Sequence, residues 1–112
     1  MACRFLEGMG HVILERNWRS GHLEIDIISL DADGIHFVEV KTRRRNMQAP
    51  PQENVDRTKQ KKITKAALGY LKTGNGLPYR NLECMFDVVA VSFEDGKDHI
   101  GWFPQAYIPI YL

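Results

Sequence analysis

The chain has 112 residues, 44% of them apolar and 26% charged, with 15 Lys+Arg against 14 Asp+Glu for a formal net charge of +1. These values fit one folded domain over residues 1–112 with a modest core, and they exclude a disordered chain, a collagen-like repeat and a membrane-spanning one. With no bulk positive excess, any contact with nucleic acid has to come from where the charges sit and not from their sum.

Ala2, Phe5, Leu6 and Met9 recur at helical spacing, which predicts a short first helix ended by Gly8 and Gly10. His11 to Glu15 has the β-branched content of a strand, and Asn17 to His22 follows with turn-forming residues, so a loop is expected there. Leu23 to Leu30 reads LEIDIISL. Its period of two puts Leu23, Ile25 and Ile27 on one face and Glu24 and Asp26 on the other. Asp31-Ala32-Asp33-Gly34 has the composition of a hairpin turn. The partner strand, Ile35 to Thr42, places Ile35, Phe37, Glu39 and Lys41 on one face.

Residues 43–54 (RRRNMQAPPQEN) are polar, basic and proline-bearing and read as a mobile surface loop. A helix follows from about Arg57 to Lys72, with Ile63, Ala66, Ala67, Tyr70 and Leu71 as its apolar stripe and Asp56 or Asn54 as its cap. Gln60 lies on the stripe's face one turn earlier, so it points toward the sheet. Phe86 to Phe93 reads as a buried strand ending at the turn Glu94-Asp95-Gly96, and the aromatic tail from His99 supplies a last strand and an extension. Strand hairpin, helix and returning strand together define an α/β domain around a mixed sheet, since the hairpin is antiparallel and the later strand returns through a helical crossover.

Within the apolar strand, Glu39 and Lys41 leave the same face about 7 Å apart at ~3.3 Å rise per residue. Asp26 sits six residues before Ala32 and Glu39 six after Asp33, so a tight turn brings the two carboxylates nearly into register. Converging carboxylates raise each other's pKa unless a cation compensates. Mg²⁺ or Mn²⁺ is the natural one, because hard divalent ions take carboxylate oxygens and complete their shell with phosphate. Lys41 beside such an ion would orient or help deprotonate a water and offset transition-state charge, which is the logic of phosphodiester hydrolysis. The plain alternative is a cross-strand salt bridge among the same residues.

Asp26 followed by Glu39-x-Lys41 resembles the D…(D/E)-x-K motif of the PD-(D/E)XK, or restriction-endonuclease-like, nucleases. More closely, Asn17-Trp18-Arg19, Glu24-Ile25-Asp26-Ile27-Ile28 and Phe37-Val38-Glu39-Val40-Lys41-Thr42-Arg43, with Lys59, Ala67…Tyr70-Leu71, Phe86-Asp87-Val88-Val89 and His99-Ile100…Ala106-Tyr107, resemble the YraN-like family of bacterial proteins. That resemblance covers nearly the whole chain. It implies a restriction-endonuclease-like three-layer core related to Holliday-junction resolvases, with a mixed central sheet flanked by helices. It further implies a metal held by Asp26, Glu39 and the main-chain carbonyl of Val40, with Lys41 as catalytic lysine and Gln60 as a polar helix residue at the site. The family pattern usually carries a Gly-Glu three residues before the alanine matched by Ala2, so the first helix is expected to be short by a segment bearing another acidic ligand. Met85 stands where the pattern commonly has arginine.

Arg43, Arg44 and Arg45 follow Lys41 directly, and Arg57, Lys59, Lys61, Lys62 and Lys65 cluster early on the helix. Arg43 to Arg45, Lys59 and Lys62 are the expected phosphate contacts, which position a nucleic acid without reading its sequence. DNA, branched or otherwise, is the expected partner, with RNA an alternative, and a homodimer would suit a two-stranded substrate. The competing reading is a nucleic-acid-binding module of the same fold without efficient catalysis. Glu24 is read as solvated and Asp87 as a local cap or partner outside the site. The four histidines read as scattered packing or surface residues forming no metal-binding set. Cys3 and Cys84 lie far apart, and the start lacks a secretory signal, so a reduced, cytoplasmic chain with no membrane contact is expected.

Overall fold

A computed structural model of the protein describes residues 1–44 and 56–107. Helix α1 (Ala2–Gly8) leads into three strands, β1 (Val12–Ser20), β2 (Leu23–Asp31) and β3 (Gly34–Arg44). Helix α2 (Arg57–Tyr70) and a single 3₁₀ turn (Leu77–Tyr79) precede β4 (Cys84–Glu94) and β5 (Lys97–Phe103). The five strands form one sheet in the order β1-β2-β3-β4-β5. All neighbours are antiparallel except β3 and β4, which run parallel because α2 carries the chain back across the sheet.

Local chemistry sets the boundaries. The Asp31 carboxylate accepts the Asp33 and Gly34 N–H groups at 2.9 and 3.2 Å, an Asx arrangement that closes the β2–β3 turn. Gly34 follows at φ 149°, and a Cβ there would lie 2.3 Å from the Glu83 carbonyl oxygen, so only glycine fits. Asp56 caps α2 by accepting the Lys59 N–H at 2.8 Å. The other candidate cap, Asn54, lies outside the described residues, as do Arg45, most of the expected loop and the end of the tail. Arg43 and Arg44 belong to β3 and not to that loop.

The two helices cover opposite faces. On the α2 face, Ile25, Ile28, Phe37, Phe86 and Val88 pack against Ile63, Ala66, Ala67 and Tyr70. On the α1 face, Ile27, Val38, Val89 and Val91 pack against Ala2 and Leu6. The result is a three-layer α/β arrangement compatible with a restriction-endonuclease-like core. Met9, expected on the helix's apolar side, is 41% exposed, because α1 ends at Gly8 before reaching it. No described helix is long and apolar enough to cross a membrane.

Two departures from the expected pattern bear on the site. Asn17 to Ser20 continue β1 instead of forming a loop, and the turn is confined to Gly21 and His22. Asn17 nevertheless adopts φ 49°, a left-handed conformation that asparagine tolerates better than most residues. It faces Asp26, since the β1–β2 register runs from Arg16↔Ile27 to Trp18↔Ile25. The alternation of β2 changes phase at that point. Ile25 and Ile28 share the α2 face while Ile27 takes the α1 face, so the strict period of two does not hold through Asp26.

Candidate active site

The β2–β3 ladder runs from Asp31↔Gly34 to Ile27↔Val38 and stops there. Beyond it, β3 continues beside β4 as far as Arg44 and β2 continues beside β1 as far as Leu23. The two strands therefore part, and the next residues in the count are Asp26 and Glu39. Asp26 fills the opening by accepting the Val40 N–H at 2.8 Å, so a side-chain carboxylate replaces the ladder bond. A residue's N–H and C=O leave the same edge of an extended strand, which turns the Val40 carbonyl to the same gap.

Glu39 is buried, 9% exposed, on the face covered by α2. Its Oε1 meets Lys59 Nζ at 2.5 Å and Lys41 Nζ at 3.8 Å. Lys59 reaches it because the Asp56 cap fixes the first turn of α2 above the gap. Lys59, expected as a phosphate contact, thus bonds to Glu39 inside the site. Gln60 follows it, half-buried, and its carbonyl accepts the Thr64 hydroxyl at 2.8 Å. Lys62 is exposed. Glu24 pairs with Arg19 at 3.4 Å on the surface.

Burial pushes the Asp26 carboxyl above its ordinary range. Glu39 and Glu24 add to the rise, and the Val40 N–H and Lys59 only partly oppose it. For Lys59, burial works against the charge, but the hydrogen bond and charge of Glu39 outweigh it and hold the ammonium above its usual value. Two carboxylates and two ammonium groups thus meet where the sheet opens. On the α1 side, Asp26 and Val40 also line a groove of about 570 Å³ with Arg16, Asn17 and Thr42.

Two features were not expected from the sequence. Tyr107, packed on Phe86 with ring centroids 5.8 Å apart, buries a hydroxyl that has no hydrogen-bond partner among the described residues. Burial first, then the charges of Glu39 and Asp87, raise its phenol. The second is a set of histidines, which are not all scattered. His11 and His36 converge on Asp31, with donor atoms of the three residues within 4.8 Å of one another, an arrangement able to hold a metal. Sequence distance hid this: Ile13↔Ser29 and Ser29↔His36 pair across three strands, and both hairpin registers are needed to bring residues 11 and 36 together. Asp87 belongs to the same group. It is fully buried and bonds to His36, 51 positions away, and not to a local partner.

A five-stranded mixed sheet between two helices, opened between two antiparallel strands at a carboxylate pair with lysines, makes this an α/β protein compatible with a restriction-endonuclease-like core. The profile of the uncharacterised protein family UPF0102 matches residues 1–91. A UPF0102 protein of Bacteroides thetaiotaomicron is 37% identical over 108 residues, covering 96% of this chain and 86% of that one. A UPF0102 protein of Syntrophus aciditrophicus is 47% identical over 94 residues, covering 84% of this chain and 72% of that one. The chain belongs to the UPF0102 family. Among solved structures, that of Pyrococcus furiosus SfsA in complex with Ca²⁺ aligns with 92% of this chain and 58% of its own, at 15% identity. The TM-score of that alignment is 0.39.

Proposed function

We propose that the protein is a metal-dependent nuclease that hydrolyses phosphodiester bonds in nucleic acid. The observation that supports this best is the meeting of Asp26 and Glu39 beside Lys41 at the open end of the β2–β3 gap. Asp26, Glu39 and the Val40 carbonyl are the ligand set for Mg²⁺ or Mn²⁺. The donor chemistry suits a hard ion: all are oxygens, Asp26 sits in a negative local field, and Glu39 Oε2 takes part in neither ion pair. When bound, the ion supplies Lewis-acid polarisation of the phosphate and a more acidic water.

The chain's own groups do the rest. Lys41, on the same strand face as Glu39, orients the attacking water and offsets negative charge as it gathers on phosphorus. Lys59 fixes the Glu39 side chain through Oε1, and Gln60, one residue on, offers a polar group from the same helix. Arg43, Arg44 and Arg45, which follow Lys41 closely in the sequence, and Lys62, exposed on α2, serve as phosphate contacts that set position and not sequence. The groove holding Arg16 and Asn17 gives a strand access to Asp26 from the α1 side.

The 2.5 Å bond from Lys59 to Glu39 favours a second reading, a nucleic-acid-binding module without turnover, because an ammonium already neutralises the carboxylate. The purified protein is incubated with branched, nicked and single-stranded DNA and with RNA, in Mg²⁺ or Mn²⁺, beside Glu39→Ala and Lys41→Ala. Cleavage of at least one substrate, lost by 10²-fold or more in both variants, is expected. Salt-sensitive binding without cleavage supports the second reading, and cleavage that survives both substitutions refutes the catalytic assignment.

A further inference from the structure

At the other end of the β2–β3 hairpin, about 17 Å along β2 from Asp26 at ~3.3 Å per residue, a second polar group is built into the sheet. His11 lies just ahead of β1, Asp31 ends β2 and His36 lies in β3. Both imidazoles are buried, with 6% and 5% exposure. Both turn Nε2 to the same carboxylate: His36 Nε2 lies 2.8 Å from Asp31 Oδ1, and His11 Nε2 lies 3.4 Å from Asp31 Oδ2.

The opposite ring nitrogens are also fixed. His11 Nδ1 is 2.8 Å from the Ser29 hydroxyl, and His36 Nδ1 is 2.5 Å from Asp87 Oδ2. Asp87 is held in turn, its Oδ1 accepting the Gln105 N–H at 2.8 Å. Asp31 is held by the turn amides of Asp33 and Gly34. Trp102 closes the group from β5, edge-on to His11 at 5.9 Å and 6.5 Å from His36.

We propose that His11, Asp31 and His36 form a binding site for a zinc-type divalent ion, distinct from the Asp26–Glu39 site. Metal-bound histidines are oriented in this manner, one nitrogen on the ion and the other donating to a carboxylate, hydroxyl or carbonyl. Here Ser29 and Asp87 occupy that outer position for the two rings. Two imidazoles and one carboxylate select zinc, cobalt or nickel over magnesium, and three protein ligands leave a fourth position for water.

An ion held by these three side chains would tie the junction of α1 and β1 to the β2–β3 turn.

The test titrates chelator-treated protein with Zn²⁺ by calorimetry and with Co²⁺ by visible absorption. The wild type is set beside His11→Gln, which keeps a partner for Ser29, and Asp31→Asn, which keeps the turn bonds. Circular dichroism of the metal-free variants checks their folding. With the Asp26–Glu39 site kept filled by excess Mg²⁺, one zinc or cobalt ion per chain is expected, with the ligand-field bands of low-coordinate cobalt. Affinity should fall at least tenfold in either variant and stay unchanged in Glu39→Ala. Equal binding by wild type and both variants, no saturable binding by the wild type, or loss of binding in Glu39→Ala would each overturn the site.

Discussion

Replacing Asp26 by asparagine separates a carboxylate kept for chemistry from one kept for structure. In the folded protein three influences oppose its charge: burial first, then Glu39 and Glu24. The Val40 N–H and Lys59 favour it. Asparagine keeps the Val40 bond through its amide oxygen and removes all three penalties, losing the attraction of Lys59 and the charge-assisted part of the Val40 bond. Without divalent metal at pH 7, Asp26→Asn should therefore be more stable than wild type, by about 0.5–1 kcal/mol, the usual gain from relieving a functional site. That corresponds to a rise in Tm of roughly 2–6 °C for a chain of this size.

Asp26→Ala leaves the Val40 N–H without its acceptor and should instead lose about 1–2 kcal/mol. The sign of the pH dependence follows from the raised carboxyl. The folded state holds the proton more tightly than the unfolded chain, so the stability this group contributes is complete below its unfolded pKa and is lost as pH rises through the folded one. The advantage of Asp26→Asn should thus be absent in acid, grow as pH rises through the carboxylate range and level off by neutrality. Urea denaturation at several pH values, with and without Mg²⁺, measures both trends, and saturating Mg²⁺ should narrow the gap by stabilising only the wild type. An Asp26→Asn protein less stable than wild type at pH 7 without metal would refute the reasoning, because the charge would then be a structural asset.

Two further outcomes follow from the backbone. Gly34→Ala forces a Cβ to within 2.3 Å of the Glu83 carbonyl oxygen at φ 149°, so it should cost about 3 kcal/mol or more in chemical denaturation, and a loss under 1 kcal/mol would contradict the packing described. Asn17, at φ 49°, should accept glycine with less than about 0.5 kcal/mol of change, whereas Asn17→Val should lose about 1–2 kcal/mol and weaken cleavage by displacing β1 opposite Asp26; equal stability of the two variants would remove the strain argument.

Much of the fold is legible in the chain itself because period and punctuation are local. The apolar stripe of α2, its Asp56 cap, the Asp31–Gly34 turn and the apolar run of β4 each follow from residues within a turn or two of one another. The juxtaposition of Asp26 and Glu39 also follows, since a two-residue turn fixes the register on either side of it. A repeating pattern could not reveal where regularity fails. Asn17 signals a left-handed residue, but only the paired sheet shows that it lies within a strand and not in a loop.

The sequence by itself therefore determined the element order, the mixed sheet and a pair of acidic residues beside Lys41, because each depends on spacing along the chain. Tertiary structure alone decided three matters. It brought Lys59 from α2 onto Glu39, seated the buried Tyr107 over Phe86, and gathered His11, Asp31, His36 and Asp87 into one buried group. Each needs the crossover of α2 or two or more strand registers at once. The side chains that meet there are set by how the layers pack and not by any distance measured in residues.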